Sequence, residues 1–207
     1  MSGRVLVKIC GITSPEDARM AAAAGADAIG VNLWPGSKRY VTDGRAKEIL
    51  AAVPKGVMKV GVFVNLPPLE VRAKRIDLGL DRAQLHGDER AEDFARLDPS
   101  PLIRVVRVSD EASFTEADGW KTPILMYDAH VAGYGGAGVT APWALIAKHA
   151  RRPFWLAGGL TPENVRAAIT ATSPDGVDVA SGVERAPGVK DELKVRLFVA
   201  AAKAGKL

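Results

Sequence analysis

Eight short apolar runs, each followed by an alanine-rich or charged amphipathic stretch, set the rhythm of this chain almost from end to end. The runs are Val5–Ile9, Ala28–Leu33, Val57–Val64, Arg82–Leu85, Leu102–Val108, Pro123–Tyr127, Phe154–Leu156 and Gly176–Ala180. Several lack in–out alternation, as expected of parallel strands buried on both faces. Between them the spacing predicts helices over Pro15–Ala24, Gly44–Ala52, Pro68–Ile76, Ala91–Leu97, Pro142–Ala150, Pro162–Thr170 and Asp191–Ala204, with a weaker one near Glu111–Glu116. Ser14-Pro15 and Thr161-Pro162 each place a hydroxyl before proline at a first helical position. Strands alternating with helices over 207 residues predict one domain, residues 1–207, folded as an α/β protein of the (β/α)₈ TIM-barrel type. A doubly wound open sheet is the alternative, because strand count alone does not establish closure.

Composition excludes several function classes. Net charge is +4, but the basic residues are scattered, so no stripe suited to nucleic acid exists. A mild attraction for small anions fits better. The single cysteine rules out an intrachain disulfide and suits a reducing compartment. The histidines His86, His130 and His149 have no metal-ligand spacing with it. No apolar stretch approaches a membrane span, and strand-like sequence begins by Val5 without a preceding signal segment. A soluble cytoplasmic protein is expected, with no nucleic-acid or membrane partner.

Two segments point to a ligand. Leu156-Ala157-Gly158-Gly159-Leu160-Thr161 and Asp178-Val179-Ala180-Ser181-Gly182-Val183 each run from apolar to small residues where a helix should begin. Backbone N–H groups at such a point face outward and favour an anion. After strands seven and eight of a barrel, the pair reads as one phosphate grip, built from Gly158, Gly159, Ser181 and Gly182. The plainer alternative is that the glycines only make tight turns.

In a barrel the C-terminal strand ends face the site. Strand one ends Lys8-Ile9-Cys10-Gly11. Cys10 is either a small buried hydrophobe or, with Lys8 favouring its thiolate, a base or nucleophile. Asp128, after Leu125-Met126-Tyr127, either caps a loop or serves catalysis, three strands away from Cys10 around the ring. His86, behind Gln84, is a rival base, a loop-ordering residue or a substrate contact. Arg39 either clamps a carboxylate or lies solvated at the surface. Tyr134-Gly135-Gly136-Ala137-Gly138 is either a connection or a loop that closes over the ligand.

Taken in order, Lys8–Thr13, Ser37–Tyr40, Gly61–Asn65, Gln84–Glu89, Asp128, Gly135–Gly138, Ala157–Val165, Gly176–Glu184 and Gly188–Asp191 resemble the phosphoribosylanthranilate isomerase family. The resemblance implies a single-domain barrel that carries out an Amadori rearrangement, aldose to ketose, in tryptophan biosynthesis. Cys10 is then the general base, Asp128 the general acid and Arg39 the holder of the anthranilate carboxylate. Lys8, Gln84 and His86 are further substrate-side positions, and the four-residue grip holds phosphate. The family uses no metal or organic cofactor, and the expected partner is a phosphorylated small molecule, the chain acting as monomer or homodimer. This chain departs from the family pattern at Lys38 (usually proline), Ala137 (usually threonine) and Ala141-Pro142-Trp143. A related aminoaldose isomerase with one or two substrates, or a catalytically lapsed binding subunit, are the competing readings.

Overall fold

The computed structural model describes residues 4–129 and 141–205. Eight parallel strands close on themselves in chain order: β1 (Leu6–Ile9), β2 (Ala28–Asn32), β3 (Met58–Phe63), β4 (Arg82–Leu85), β5 (Leu102–Val108), β6 (Ile124–Ala129), β7 (Phe154–Leu156) and β8 (Gly176–Val179). The seam pairs Lys8 with Asp178 and Ile9 with Val179, so the sheet is a barrel and the open-sheet alternative falls. Around it run α1 (Pro15–Ala23), α2 (Asp43–Ala51), α3 (Pro68–Asp77), α4 (Ala91–Phe94), α5 (Ala112–Asp118), α6 (Trp143–His149), α7 (Val165–Thr172) and α8 (Glu192–Lys203). Between β8 and α8 lie a 3₁₀ turn (Ser181–Val183) and a small antiparallel hairpin, β9 (Glu184–Ala186) with β10 (Val189–Lys190). Among the described residues no helix is long and apolar enough to cross a membrane.

Alternation along each strand divides the side chains between two compartments. Outward-facing Val7, Ile9, Ile29, Phe63, Leu85, Leu125 and Leu156 pack under the helices. Ala28, Val60, Ile103, Val105, Met126, Trp155 and Ala157 fill the barrel itself. Gly176 makes room there, since a Cβ on it would lie 2.7 Å from the Trp155 ring. The plug of apolar side chains ends where polar ones begin: Lys8, Gln84, Asp128 and Asp178 are buried inward-facing residues nearer the C-terminal strand ends.

Side-chain caps mark the starts of α1, α2 and α8. The Ser14 hydroxyl accepts from the Asp17 N–H, with Pro15 following, and caps α1 as expected. Thr161 does not repeat this. Its N–H donates to Asn164 Oδ1 while Asn164 Nδ2 donates to the Gly159 carbonyl, so a side-chain-tied turn occupies residues 161–164 and α7 starts at Val165. The fourth helix is a single turn rather than the stretch expected to Leu97, and the weak fifth crossover is a true helix.

Candidate active site

Cys10 stands at the exit of β1, its N–H bound to the Val179 carbonyl across the seam at 2.8 Å. Its thiol is buried. Beneath it Lys8 is wholly buried, with Nζ donating to Asp178 Oδ1 at 2.8 Å. Lys8, expected from the sequence on the substrate side, has its ammonium beside the thiol at the end of β1. Gly30 on β2 makes this stacking fit: a Cβ there would sit 2.9 Å from Cys10 Sγ and 3.0 Å from Lys8 Nζ. Lys8 does favour the thiolate, as expected, but it is not the largest influence on the thiol. Burial, then the Asp178 charge, push the thiol above its ordinary value, and the pull of Lys8 and of Lys190 does not outweigh them.

Arg39 reaches the same place from the β2–α2 loop. Its stem crosses Gly11, where φ is +72° and a side chain would collide with Arg39 Cδ. The guanidinium is not solvated: Nε and Nη2 donate to the two oxygens of Glu184 at 2.8 and 2.7 Å. Glu184 also accepts from Lys190 Nζ at 2.8 Å, and Lys190 donates to the Ala180 carbonyl at 3.1 Å. Burial works to raise the Glu184 carboxyl, but its two cationic partners hold it below the usual range. Three cations and two carboxylates therefore surround the thiol, leaving a net positive patch suited to an anionic ligand.

Asp128 faces the mouth from β6. His86 Nε2 lies 3.3 Å from Asp128 Oδ2, close but out of line for a hydrogen bond. Gln84 Nε2 is 3.2 Å from His86 Nδ1. With that amide donating, Nδ1 is the bare nitrogen and the ring N–H is the one turned toward Asp128. Gln84 and His86 thus form a hydrogen-bonded pair whose ring stands 3.3 Å from the carboxyl. Glu89 fixes the loop that carries them, accepting from the Asn65 and Gly87 N–H groups at 2.8 and 2.9 Å and from Arg104 at 2.6 Å.

The two glycine segments meet. Gly158 and Gly159 have φ of +87° and +61°, a backbone that side chains resist. A Cβ on Gly182 would fall on the Leu160 carbonyl oxygen, so the loops after β7 and β8 are in direct contact. Among the described residues the N–H groups of Gly158, Gly159, Ser181 and Gly182 donate to no acceptor. The amides belong to turns rather than to the first residues of long helices, because Asn164 delays α7 and only a 3₁₀ turn follows β8.

Of the departures from the family pattern, Lys38 is exposed, and Pro142 immediately precedes α6. Ala137, His130 and the glycine loop from Tyr134 to Gly138 lie outside the described residues. Sequence reading gave no role to Asp178, Glu184, Lys190 or Glu89. The first three stand in the Gly176–Glu184 and Gly188–Asp191 segments, which were the available signal.

A closed (β/α)₈ barrel with a thiol and a carboxyl near the C-terminal strand ends, beside two loops whose amides are unpaired among the described residues, fits the class of small single-domain barrel enzymes. Comparison with known proteins narrows this. Residues 7–201 match the family described as N-(5'phosphoribosyl)anthranilate (PRA) isomerase. The N-(5'-phosphoribosyl)anthranilate isomerase of Rubrobacter xylanophilus is 49% identical over 203 residues, covering 95% of this chain and 98% of that protein. The crystal structure of phosphoribosyl anthranilate isomerase from Thermotoga maritima superimposes with a TM-score of 0.90 at 40% identity, covering 97% of this chain and 99% of that one. A crystal structure of such an isomerase in complex with reduced 1-(o-carboxyphenylamino)-1-deoxyribulose 5-phosphate gives a TM-score of 0.86 at 37% identity, with coverage of 97% and 99%. The chain belongs to the N-(5'-phosphoribosyl)anthranilate isomerase family, enzymes of tryptophan biosynthesis.

Proposed function

We propose that the rearrangement of N-(5'-phosphoribosyl)anthranilate to 1-(2-carboxyphenylamino)-1-deoxyribulose 5-phosphate runs between Asp128 and Cys10. Asp128 gives a proton to the furanose ring oxygen as the anthranilate nitrogen lone pair expels it, opening the ring to a protonated Schiff base. The Cys10 thiolate takes the proton on C2′, and the electrons of that bond neutralise the iminium to an enolamine. The enol hydroxyl then loses its proton while C1′ gains one, which gives the ketose. An acid and a base on separate atoms of one substrate need separate positions, and strands β1 and β6 supply them.

His86 faces Asp128 rather than Cys10, which supports a role in holding the acid rather than acting as the base. Arg39 takes the anthranilate carboxylate, and the amides of Gly158, Gly159, Ser181 and Gly182 take the phosphate. Lys8 serves through Cys10, and Gln84 through His86. The partner is a phosphorylated small molecule in the cytoplasm.

The observation that carries the reading is the stack of Lys8, Gly30 and Cys10 at the end of β1. The fluorescence of the anthranilate group allows the reaction to be followed directly. Steady consumption of the substrate by the purified chain, slowed by roughly 10²–10⁴-fold in Cys10→Ala, is the expected result. An inactive wild-type chain, or a fully active Cys10→Ala, refutes it.

A further inference from the structure

A guanidinium offers a carboxylate two geometries: side-on, through Nε and one Nη, or end-on, through both Nη atoms. In Arg39 the side-on edge is occupied, since Nε and Nη2 both donate to Glu184. The end-on edge, with both Nη1 N–H groups and the second on Nη2, makes no bond among the described residues. Glu184 is itself immobilised. It is buried, and its Oε1 also receives Lys190 Nζ, whose other bond goes to the backbone at Ala180. Lys190 is 3% exposed, and its backbone N–H is anchored on Asp17 of α1 at 3.1 Å. A rigid support thus runs from the strand-eight loop through Lys190 and Glu184 to Arg39. Gly11 removes the one obstruction beneath the arginine stem.

We propose that Glu184, braced by Lys190, is a positioning residue that orients Arg39 so that its end-on edge alone receives the substrate carboxylate. This rests on the reading above that Arg39 is the carboxylate holder. Glu184 touches no substrate. It fixes a long, rotamer-rich side chain before binding, so that less freedom is lost when the ligand arrives. The support also links the two anion-holding regions, because the carbonyl that receives Lys190 belongs to Ala180, next to Ser181 of the phosphate loop. The hairpin β9–β10 pairs Lys190 with Glu184 across its two strands.

A double-mutant cycle on Glu184→Gln and Arg39→Met tests the proposal, read by fluorescence titration of the reduced product analogue, which requires no turnover. With Arg39 present, Glu184→Gln weakens the analogue about tenfold, the loss expected from one disordered charge-assisted contact. In the Arg39→Met background the same change costs less than about twofold, because sites that act through one another are non-additive. In turnover, KM rises more than kcat falls, and Glu184→Asp recovers part of the loss. Urea midpoints verify that each variant is folded, and Glu184→Asp replaces Glu184→Gln in the cycle should the latter be unfolded. Equal losses in both backgrounds, no loss at all, or tighter binding by Glu184→Gln overturns the proposal, the last showing that Glu184 competes with the ligand. Failure of the wild-type chain to bind the analogue overturns the underlying functional reading along with it, whereas normal wild-type binding with additive variants overturns the proposal alone.

Discussion

In the proposed reaction Cys10 must lose a proton to act, yet its surroundings favour keeping it: burial, then the nearby Asp178 carboxylate, hold the thiol above its ordinary value. The sign for catalysis follows. Since kcat/KM reports the free enzyme and only the thiolate is a base, it should climb as pH rises through the alkaline range. A profile already flat above neutrality would contradict this. Removing the thiol has the larger effect: Cys10→Ala should lose roughly 10²–10⁴-fold in turnover, the usual contribution of a proton-transfer group. His86→Ala should lose less, with an altered Asp128 as the cause, and the reverse ranking would reassign the base. Asp128→Asn should still bind the product analogue while failing to open the ring, and near-normal turnover by it would remove Asp128 from the mechanism. Gly30→Ala is a subtler test of the same place. Its methyl group must displace Sγ or the Lys8 ammonium, both about 3 Å away, so kcat should fall in a protein that still folds.

At the scale of elements, the two loops after β7 and β8 act as one unit because they touch. Gly159→Val strains a backbone held at φ +61° and should raise KM strongly. Gly182→Ala should do likewise by driving the loop off the Leu160 carbonyl. Ser181→Ala deletes at most one hydroxyl contact, worth about 1.5–3 kcal/mol to a charged acceptor, and should be the mildest of the three. Equal KM values for all three would reduce the glycines to turn-makers. These loops also show what a sequence displays and what it hides. Buried strands are legible as apolar runs, and three of the eight, over Arg82–Leu85, Leu102–Val108 and Phe154–Leu156, have the bounds expected from the runs. The start of α1 is legible from Ser14 and Pro15, because the Ser14 hydroxyl finds its partner, the Asp17 N–H, only three residues on. The start of α7 is not, because Asn164 outcompetes Thr161 for the backbone. Strands of three and two residues, as in β9 and β10, are too short to carry a period, and so the hairpin went unseen. Cys10 and Asp128 could be placed from their strand ends. The partner of Arg39 could not, since Glu184 lies 145 residues further along the chain and only closure of the fold brings them together. The burial of Lys8 was concealed for a similar reason: its counter-ion is 170 residues away.

On the scale of the whole molecule, the Lys8–Asp178 pair is a buried charge contact within the barrel. Removing one partner of such a pair strands the other, at a cost of about 3–5 kcal/mol. Lys8→Met should therefore lower the urea-derived stability by that order, and Lys8→Met with Asp178→Leu should regain most of it. Equal instability of the single and double variants would show that the lysine stem, not its charge, matters there. The same pair lies where the first strand meets the last, and this has a consequence for the order in which the molecule is assembled. Lys8 and Cys10 come early from a ribosome; Asp178, Glu184 and Lys190 come late. Until β8 docks, the thiol lacks Asp178 and Lys190, and Arg39 has no support, although most helices can already be in place. Contacts between such distant parts of a chain are slow to form because a long loop must close first. Recovery of turnover after dilution from urea should accordingly lag behind recovery of the helical circular-dichroism signal, so that the enzyme stays silent until its ring is complete.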